Sequence, residues 1–398
     1  MQEDFHYYGT YCAAYLAGYT HEESLDICYS AQLVDLCSRT FLNKIRGPES
    51  AATTQLQLEL MDTKTNILNL QDITRIWASF HFLPYDLYAK KKWCFKRYLN
   101  KYRLICDTNS DLLRKTVILA KDKSLQAVGL AMHVLADTWA HRYFAGTPSL
   151  VINNTDSYFY EILPGEDYKK GKKVIFRHSP SKPDDLKEGV YSNSVAQGNE
   201  HSIMNLGHGR AGHLPDYSFI RYKYMPAWGD YREIIKDNPS DYMHAFCQMI
   251  YALKYFNGTN PEFEVNHYDI VSVEPWKDEI EEILTKRQLD ASEDWKALGE
   301  KLSGNEIPAF DINKYQSEYI IASMKDKKDT FLGKFINAAM IQKSMVTHEI
   351  FISGNLLAGI SVDVRNKGIK GIKGIKDYLI LLEEMKETLN NGKDRTDW

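Results

Sequence analysis

The chain of 398 residues is 44% hydrophobic and 26% charged, which excludes a disordered or fibrous polymer and supplies ample apolar surface for a core. Its net charge of -4 provides no global basic field, so wrapping of a long nucleic-acid duplex is not expected and no strong nucleic-acid signal is present. No window reaches ~18 uninterrupted apolar residues, the opening Met1-Gln-Glu-Asp-Phe-His lacks an apolar leader pattern, and the six cysteines show no CxxC spacing, so a cytoplasmic protein without a transmembrane segment is expected.

Residues 5–20 place Tyr7, Tyr8, Tyr11, Ala14, Tyr15 and Leu16 at helical spacing, and Gly18 ends that helix. Thr20-His-Glu-Glu23 then reads as the cap of a second helix over about 22–38. An antiparallel hairpin of the two would bring His6 and Asp35 to the same end. Gln55-Leu-Gln-Leu-Glu-Leu60 alternates like a short strand, and Asn66-Ile-Leu-Asn-Leu-Gln71 reads as another. His81 follows in an aromatic run closed by Pro84, where a loop can turn its imidazole inward. The basic run Lys90-Lys-Lys-Trp-Cys-Phe-Lys-Arg-Tyr98 is read as a solvated face interleaved with packing aromatics, with phosphate binding as the alternative.

A helix is predicted from about Asp111 to Ala120 and a central one from about Ser124. On the central helix His133, Asp137 and His141 recur every four residues and so advance only about 40° per step, sharing one face. A lone histidine on an apolar helix is usually a satisfied core residue. This repeat instead places a carboxylate between two imidazoles on a helix otherwise built from Met132, Val134, Leu135, Ala136, Trp139 and Ala140, an arrangement that a metal cation satisfies.

Residues 147–200 hold Pro148, Asn153-Asn154, Pro164-Gly165, Pro180, Pro183 and Gly189 with short apolar runs between them, and read as an irregular, partly β insertion that forms a lid or one wall of a cleft. The next dense stretch carries His201, His208, His213 and Asp216 with Gly207, Gly209 and Gly212; a surface histidine cluster is the bland alternative to a second ligand group. Helices follow at about 238–255, 275–303, 313–325 and 328–352, then a Gly-Ile-Lys repeat from Gly368 read as an exposed turn, and a last amphipathic helix from Tyr378. The fold class is mainly α: a helical bundle with the insertion around 147–200, residues 1–260 forming a helical metal-binding core and 261–398 a helical C-terminal region packed on it.

The candidate metal ligands are His6, Asp35, His81, His133, Asp137, His141, His208, His213 and Asp216, with Asp137 and His141 expected to carry the chemistry. Imidazoles and carboxylates without thiolates suit zinc, with manganese or iron as alternatives, and the number of ligands exceeds what one tetrahedral ion needs, so two or three ions are expected. Paired ions make phosphoester hydrolysis the natural chemistry. The alternative is a non-catalytic helical protein with a structural metal or a partner-binding role.

The ligand order resembles that of the zinc-dependent phospholipase C and single-strand-specific nuclease superfamily, an all-helical trinuclear-zinc fold, over roughly residues 1–220. That resemblance implies His133 and Asp137 as ligands from the central helix, His141 as the next, and His6, Asp35, His81 and His208 as the others. The chain departs from the pattern in three ways. His141 follows Asp137 at a shorter spacing, Met1 stands where a mature N-terminal Trp gives its amino group to metal, and Ala211-Gly212 follows His208 where an acid is expected, the acid here being Asp216. Through Asp4-Phe-His-Tyr-Tyr8, Ala31-Gln-Leu-Val-Asp35 and His133-Val-Leu-Ala-Asp-Thr-Trp-Ala-His141 the chain more closely resembles a bacterial family of unknown function.

Overall fold

The helix around which the others pack is α8 (Leu125–Ala140), and every one of its residues from Gln126 to Ala140 is buried. Ser124 starts it as predicted, its side chain accepting from the Ala127 amide. The computed structural model describes residues 1–62, 67–155, 158–177, 182–193 and 205–361. Before α8 come one π-helical turn (Asp4–Gly9) running into α1 (Thr10–Leu16), then α2 (His21–Leu36), α3 (Arg39–Lys44), α4 (Gln57–Asp62), α5 (Ile67–Phe80), α6 (Lys96–Tyr102) and α7 (Asp111–Ala120). After it come α9 (Leu150–Asn153), α10 (Asn238–Phe256), α11 (Lys277–Thr285), α12 (Ser292–Ser303), α13 (Gln316–Ile321) and α14 (Phe331–Ile352). The protein is thus mainly α, as its periodicity predicts.

Local chemistry sets the boundaries. Thr20 and Glu23 form the reciprocal capping box at the start of α2, and Thr330 caps α14. Where the sequence predicts strands at 55–60 and 66–71, Gln57–Leu60 and Ile67–Gln71 are helical instead, within α4 and α5. Alternation over six residues is too short to fix the period, whereas Gln, Leu, Glu and Met all favour helix. In α5 the buried face is Ile73, Ile76 and Phe80, spaced for a helix rather than a strand.

The predicted insertion does contain strands, β1 (Tyr160–Glu161), β2 (Lys172–Lys173), β3 (Ile175–Arg177) and β4 (Val190–Ser192), but it does not close on itself. β5 (Arg221–Tyr224) and β6 (Ile234–Asp237) complete an antiparallel sheet in the order β2-β1-β5-β6, while β3 and β4 pair in parallel. Beneath the sheet a second apolar cluster forms around Phe82, Phe144, Phe159, Tyr222 and Tyr224, distinct from the main cluster between the helices. The Gly-Ile-Lys repeat, the helix predicted from Tyr378, and His201 lie outside the described residues. Among the described residues no helix is long and apolar enough to cross a membrane.

Close approach of α2 to α8, the most extensive helix pairing in the fold, depends on Gly129. A Cβ there would overlap the Ile27 carbonyl and press on Ser30 Cβ at 2.7 Å. Alanine gains about 1 kcal/mol in helix propensity but overpacks a backbone contact at about 3 kcal/mol. Gly129→Ala is therefore expected to lower stability by about 2 kcal/mol, read as a lower denaturant midpoint at constant slope. An unchanged midpoint would mean that the two helices part without cost.

Candidate metal centre

Six segments deliver polar side chains to one centre. His6 comes from the π-helical turn, Asp35 from the last turn of α2, His81 from the residue after α5, His133 and Asp137 from α8, and His141 from the residue that caps it. The turn after residue 204 adds His208, and a short 3₁₀ turn (Leu214–Asp216) adds Asp216. His6, His81, His133, Asp137, His141 and Asp216 are buried. Asp35 keeps its side chain 29% exposed.

Their donor atoms fall into three groups, each with all ligand atoms within 4.8 Å of one another: His6, His133 and Asp137; Asp35, His81 and His133; His141, His208 and Asp216. Asp137 joins them. Its Oδ1 lies 3.1 Å from His6 Nε2, and its Oδ2 lies 3.1 Å from both His81 Nδ1 and His133 Nε2. The hairpin places His6 Nε2 4.0 Å from Asp35, so the two residues do share one end of the bundle. His213 joins none of the three groups. It stays at the rim with its side chain 58% exposed and Nδ1 3.4 Å from Asp216 Oδ2.

Backbone carbonyls decide what these imidazoles can do. His81 Nε2 donates to the Thr53 carbonyl at 3.0 Å, His141 Nδ1 to the His81 carbonyl at 2.7 Å, and His208 Nδ1 to the Gly212 carbonyl at 2.8 Å. With one nitrogen committed as donor, the other in a neutral ring is a lone pair. Those lone pairs face carboxylates: His81 Nδ1 lies 3.1 Å from Asp137 Oδ2, His141 Nε2 3.1 Å from Asp216 Oδ1, and His208 Nε2 3.6 Å from Asp216 Oδ2. Where the ring is neutral, acceptor faces acceptor, which is repulsive in a buried site unless a cation stands between them; at His141 and Asp216 the Met1 nitrogen, 3.2 Å from both, is such a cation, and at His81 and His208 a metal ion would serve. The pattern of a ligating nitrogen in front and a carbonyl holding the other nitrogen behind is that of metal-binding histidines.

The charges on the rings and on the carboxylates pull in opposite directions. Burial drives the His6, His133 and His208 rings down to about 4, so they are neutral at pH 7. Burial alone would raise Asp137 and Asp216, but His141 and the Met1 nitrogen beside the first, and His208 and the same nitrogen beside the second, hold both well below the usual carboxylate range. Asp35 moves the other way, raised by burial. The Met1 nitrogen sits 2.9 Å from Asp137 Oδ1 and 3.2 Å from both Asp216 Oδ1 and His141 Nε2, a contact that sequence reasoning did not anticipate.

The packing around the centre is specific. Phe82 stacks on His141 with ring centroids 4.7 Å apart and also touches His208 at 5.7 Å. Gly207, at φ 52, is required there because a side chain would run into the Phe82 ring. Behind His141, Arg142 bonds Asp107 at 2.9 Å and Asp241 at 3.0 Å, and Lys236 donates to the Trp139 carbonyl at 2.8 Å while pairing with Asp241. This buried network satisfies the carboxyl end of α8 and holds His141 in place.

Over residues 1–350 the chain matches the model of a family described as "Family of unknown function (DUF6765)", and it belongs to that family. No curated protein and no solved structure matches it. The resemblance to a family of unknown function is thereby shown, whereas none of these matches carries the likeness to the phospholipase C and nuclease superfamily.

Proposed function

We propose that this member of the family is a metal-dependent phosphoester hydrolase built on two or three zinc ions. The observation that carries the reading is the set of three imidazoles, His81, His141 and His208, each fixed by a backbone carbonyl so that its free lone pair meets a buried carboxylate. The donor set fits zinc: nitrogen-rich, completed by carboxylates, with no cysteine in any of the three groups. Asp35, His81, His133, Asp137, His6, His141, His208 and Asp216 would hold the ions, with Asp137 shared between neighbours. When bound, such ions lower the pKa of water and stabilise charge on a phosphoryl group.

The protein's own residues supply the rest. Asp35, partly open to solvent, lies on the side from which a substrate reaches the centre. The hydrogen bond to Asp216 raises His213, which favours a cationic ring at the rim, placed to bind an anionic phosphoryl oxygen. Six free cysteines, five of them buried, support a reducing, cytoplasmic setting.

The test is hydrolysis of bis(p-nitrophenyl) phosphate, a short-chain phospholipid and a dinucleotide by zinc-loaded protein. Turnover of at least one is expected, with His213→Ala raising KM by about tenfold, the loss of one charge-assisted hydrogen bond, at nearly unchanged kcat. Zinc-loaded protein that turns over none of them would overturn the hydrolase reading and leave a closed, structural centre.

A further inference from the structure

The basic run at 90–98 is solvated as predicted, but only some of its aromatics pack. Tyr98 and Tyr102 do pack into the protein, but Trp93 is 102% exposed and Phe95 89%, with Tyr88 at 61% and Tyr231 at 95% beside them. Lys90, Lys92 and Lys96 are exposed on the same segment. Trp93 and Tyr231 also sit at φ 58 and φ 62, the left-handed region that costs a non-glycine residue about 1 kcal/mol. Neither burial nor backbone preference accounts for a tryptophan at position 93.

These side chains stand on a braced base. Lys91 reaches across to donate to the Trp228 carbonyl at 2.8 Å and to the Asp230 carboxylate at 2.9 Å, which ties the loop bearing Trp93 to the loop bearing Tyr231. The Trp228 indole donates to the Tyr143 carbonyl at 3.0 Å, and the Tyr85 amide to the Ile105 carbonyl at 3.0 Å. Asp230 on the Tyr231 loop is engaged by Lys91, and the exposed Lys90, Lys92 and Lys96 add positive charge to the segment.

We propose that the two loops form a docking surface for an anionic phospholipid bilayer, with Trp93 and Phe95 entering the interface and Lys90, Lys92 and Lys96 held at the headgroups. Tryptophan, tyrosine and lysine are the residues that favour the boundary between water and acyl chains, and each lysine near an anionic leaflet adds electrostatic attraction. The protein would lie on the membrane rather than span it. A single-stranded nucleic acid is the competing occupant, since it too selects basic and aromatic side chains. A ring used to stack a base is backed by protein on one face; Trp93 has both faces in solvent, which suits immersion. This inference stands apart from the reading of the metal centre.

Co-sedimentation of the full chain with vesicles tests it. Binding is expected to vesicles of phosphatidylcholine mixed with phosphatidylglycerol and not to phosphatidylcholine alone, and it should weaken with salt. Trp93→Ala with Phe95→Ala, and separately Lys90→Glu, Lys92→Glu and Lys96→Glu together, should each lower the partition coefficient by about tenfold or more. All these side chains are exposed, so the melting temperature should stay at the wild-type value and loss of fold is excluded as the cause. Wild type that ignores the anionic vesicles, variants that bind as wild type does, or a chain that binds a single-stranded oligonucleotide but no vesicle would each overturn the proposal.

Discussion

Asp137→Asn is expected to abolish high-affinity zinc binding and to lower the stability of the metal-free protein by about 3–5 kcal/mol. The two effects share one cause. The Asp137 carboxylate stands within 3.1 Å of a nitrogen from each of His6, His81 and His133 and 2.9 Å from the Met1 nitrogen, with 1% of its side chain exposed. Asparagine keeps the volume and removes the charge that the buried Met1 ammonium pairs with at 2.9 Å, and an orphaned buried charge is costly. Zinc titration followed by calorimetry, together with thermal unfolding in chelator, reads both effects. A variant that melts like wild type and titrates like it would show that the carboxylate is neither a ligand nor a structural anion.

Zinc itself is expected to raise the melting temperature by about 5 °C relative to chelator-treated protein. At a free concentration about a thousand times the dissociation constant, a ligand that binds only the native state adds about 4 kcal/mol. Divided by an unfolding entropy of about 2.1 cal/mol/K per residue, that gives the few degrees expected for a chain of this size. The physical reason is the lone-pair conflict at His81 and His208, each of which in its neutral form faces a carboxylate that a cation reconciles. The Nδ1 atoms of His6 and His133 are buried with no hydrogen-bond partner, so these two rings, whose Nε2 atoms face Asp137, lack the carbonyl brace of the other three. Identical melting with zinc and with chelator would remove this argument.

Much of the centre was legible because it lies on strongly periodic elements. Ser124, the apolar run of α8 and the four-residue repeat of His133, Asp137 and His141 announce a buried helix with one polar stripe. The Gly18 and Thr20 signals make α1 and α2 a hairpin, and hairpin geometry alone brings His6 to Asp35. What escaped was nonlocal or carried by the backbone. The Thr53 and Gly212 carbonyls set the tautomers of His81 and His208, yet a carbonyl has no sequence signature. His213 was read as a ligand from the local density of histidines, and only the turn after His208 shows that it points to the rim. The pairing of β1 with β5 joins segments about sixty residues apart, a register that no short window reveals.

The same limit explains residues 90–98. Alternating lysines and aromatics are compatible both with packing and with exposure, and the choice is made by a brace from Lys91 to Asp230, far away in sequence. Tyr98 and Tyr102 turned inward; Trp93 and Phe95 did not.

The most direct test of the centre is the metal content per chain, measured by inductively coupled plasma mass spectrometry on protein purified without a metal-affinity tag. Three ligand groups, the first two linked through Asp137 and His133 and the third completed by Asp216, predict two or more equivalents of zinc in the wild-type chain. A wild-type chain that stays metal-free after supplementation with zinc and manganese would contradict the centre and return its histidines to the core.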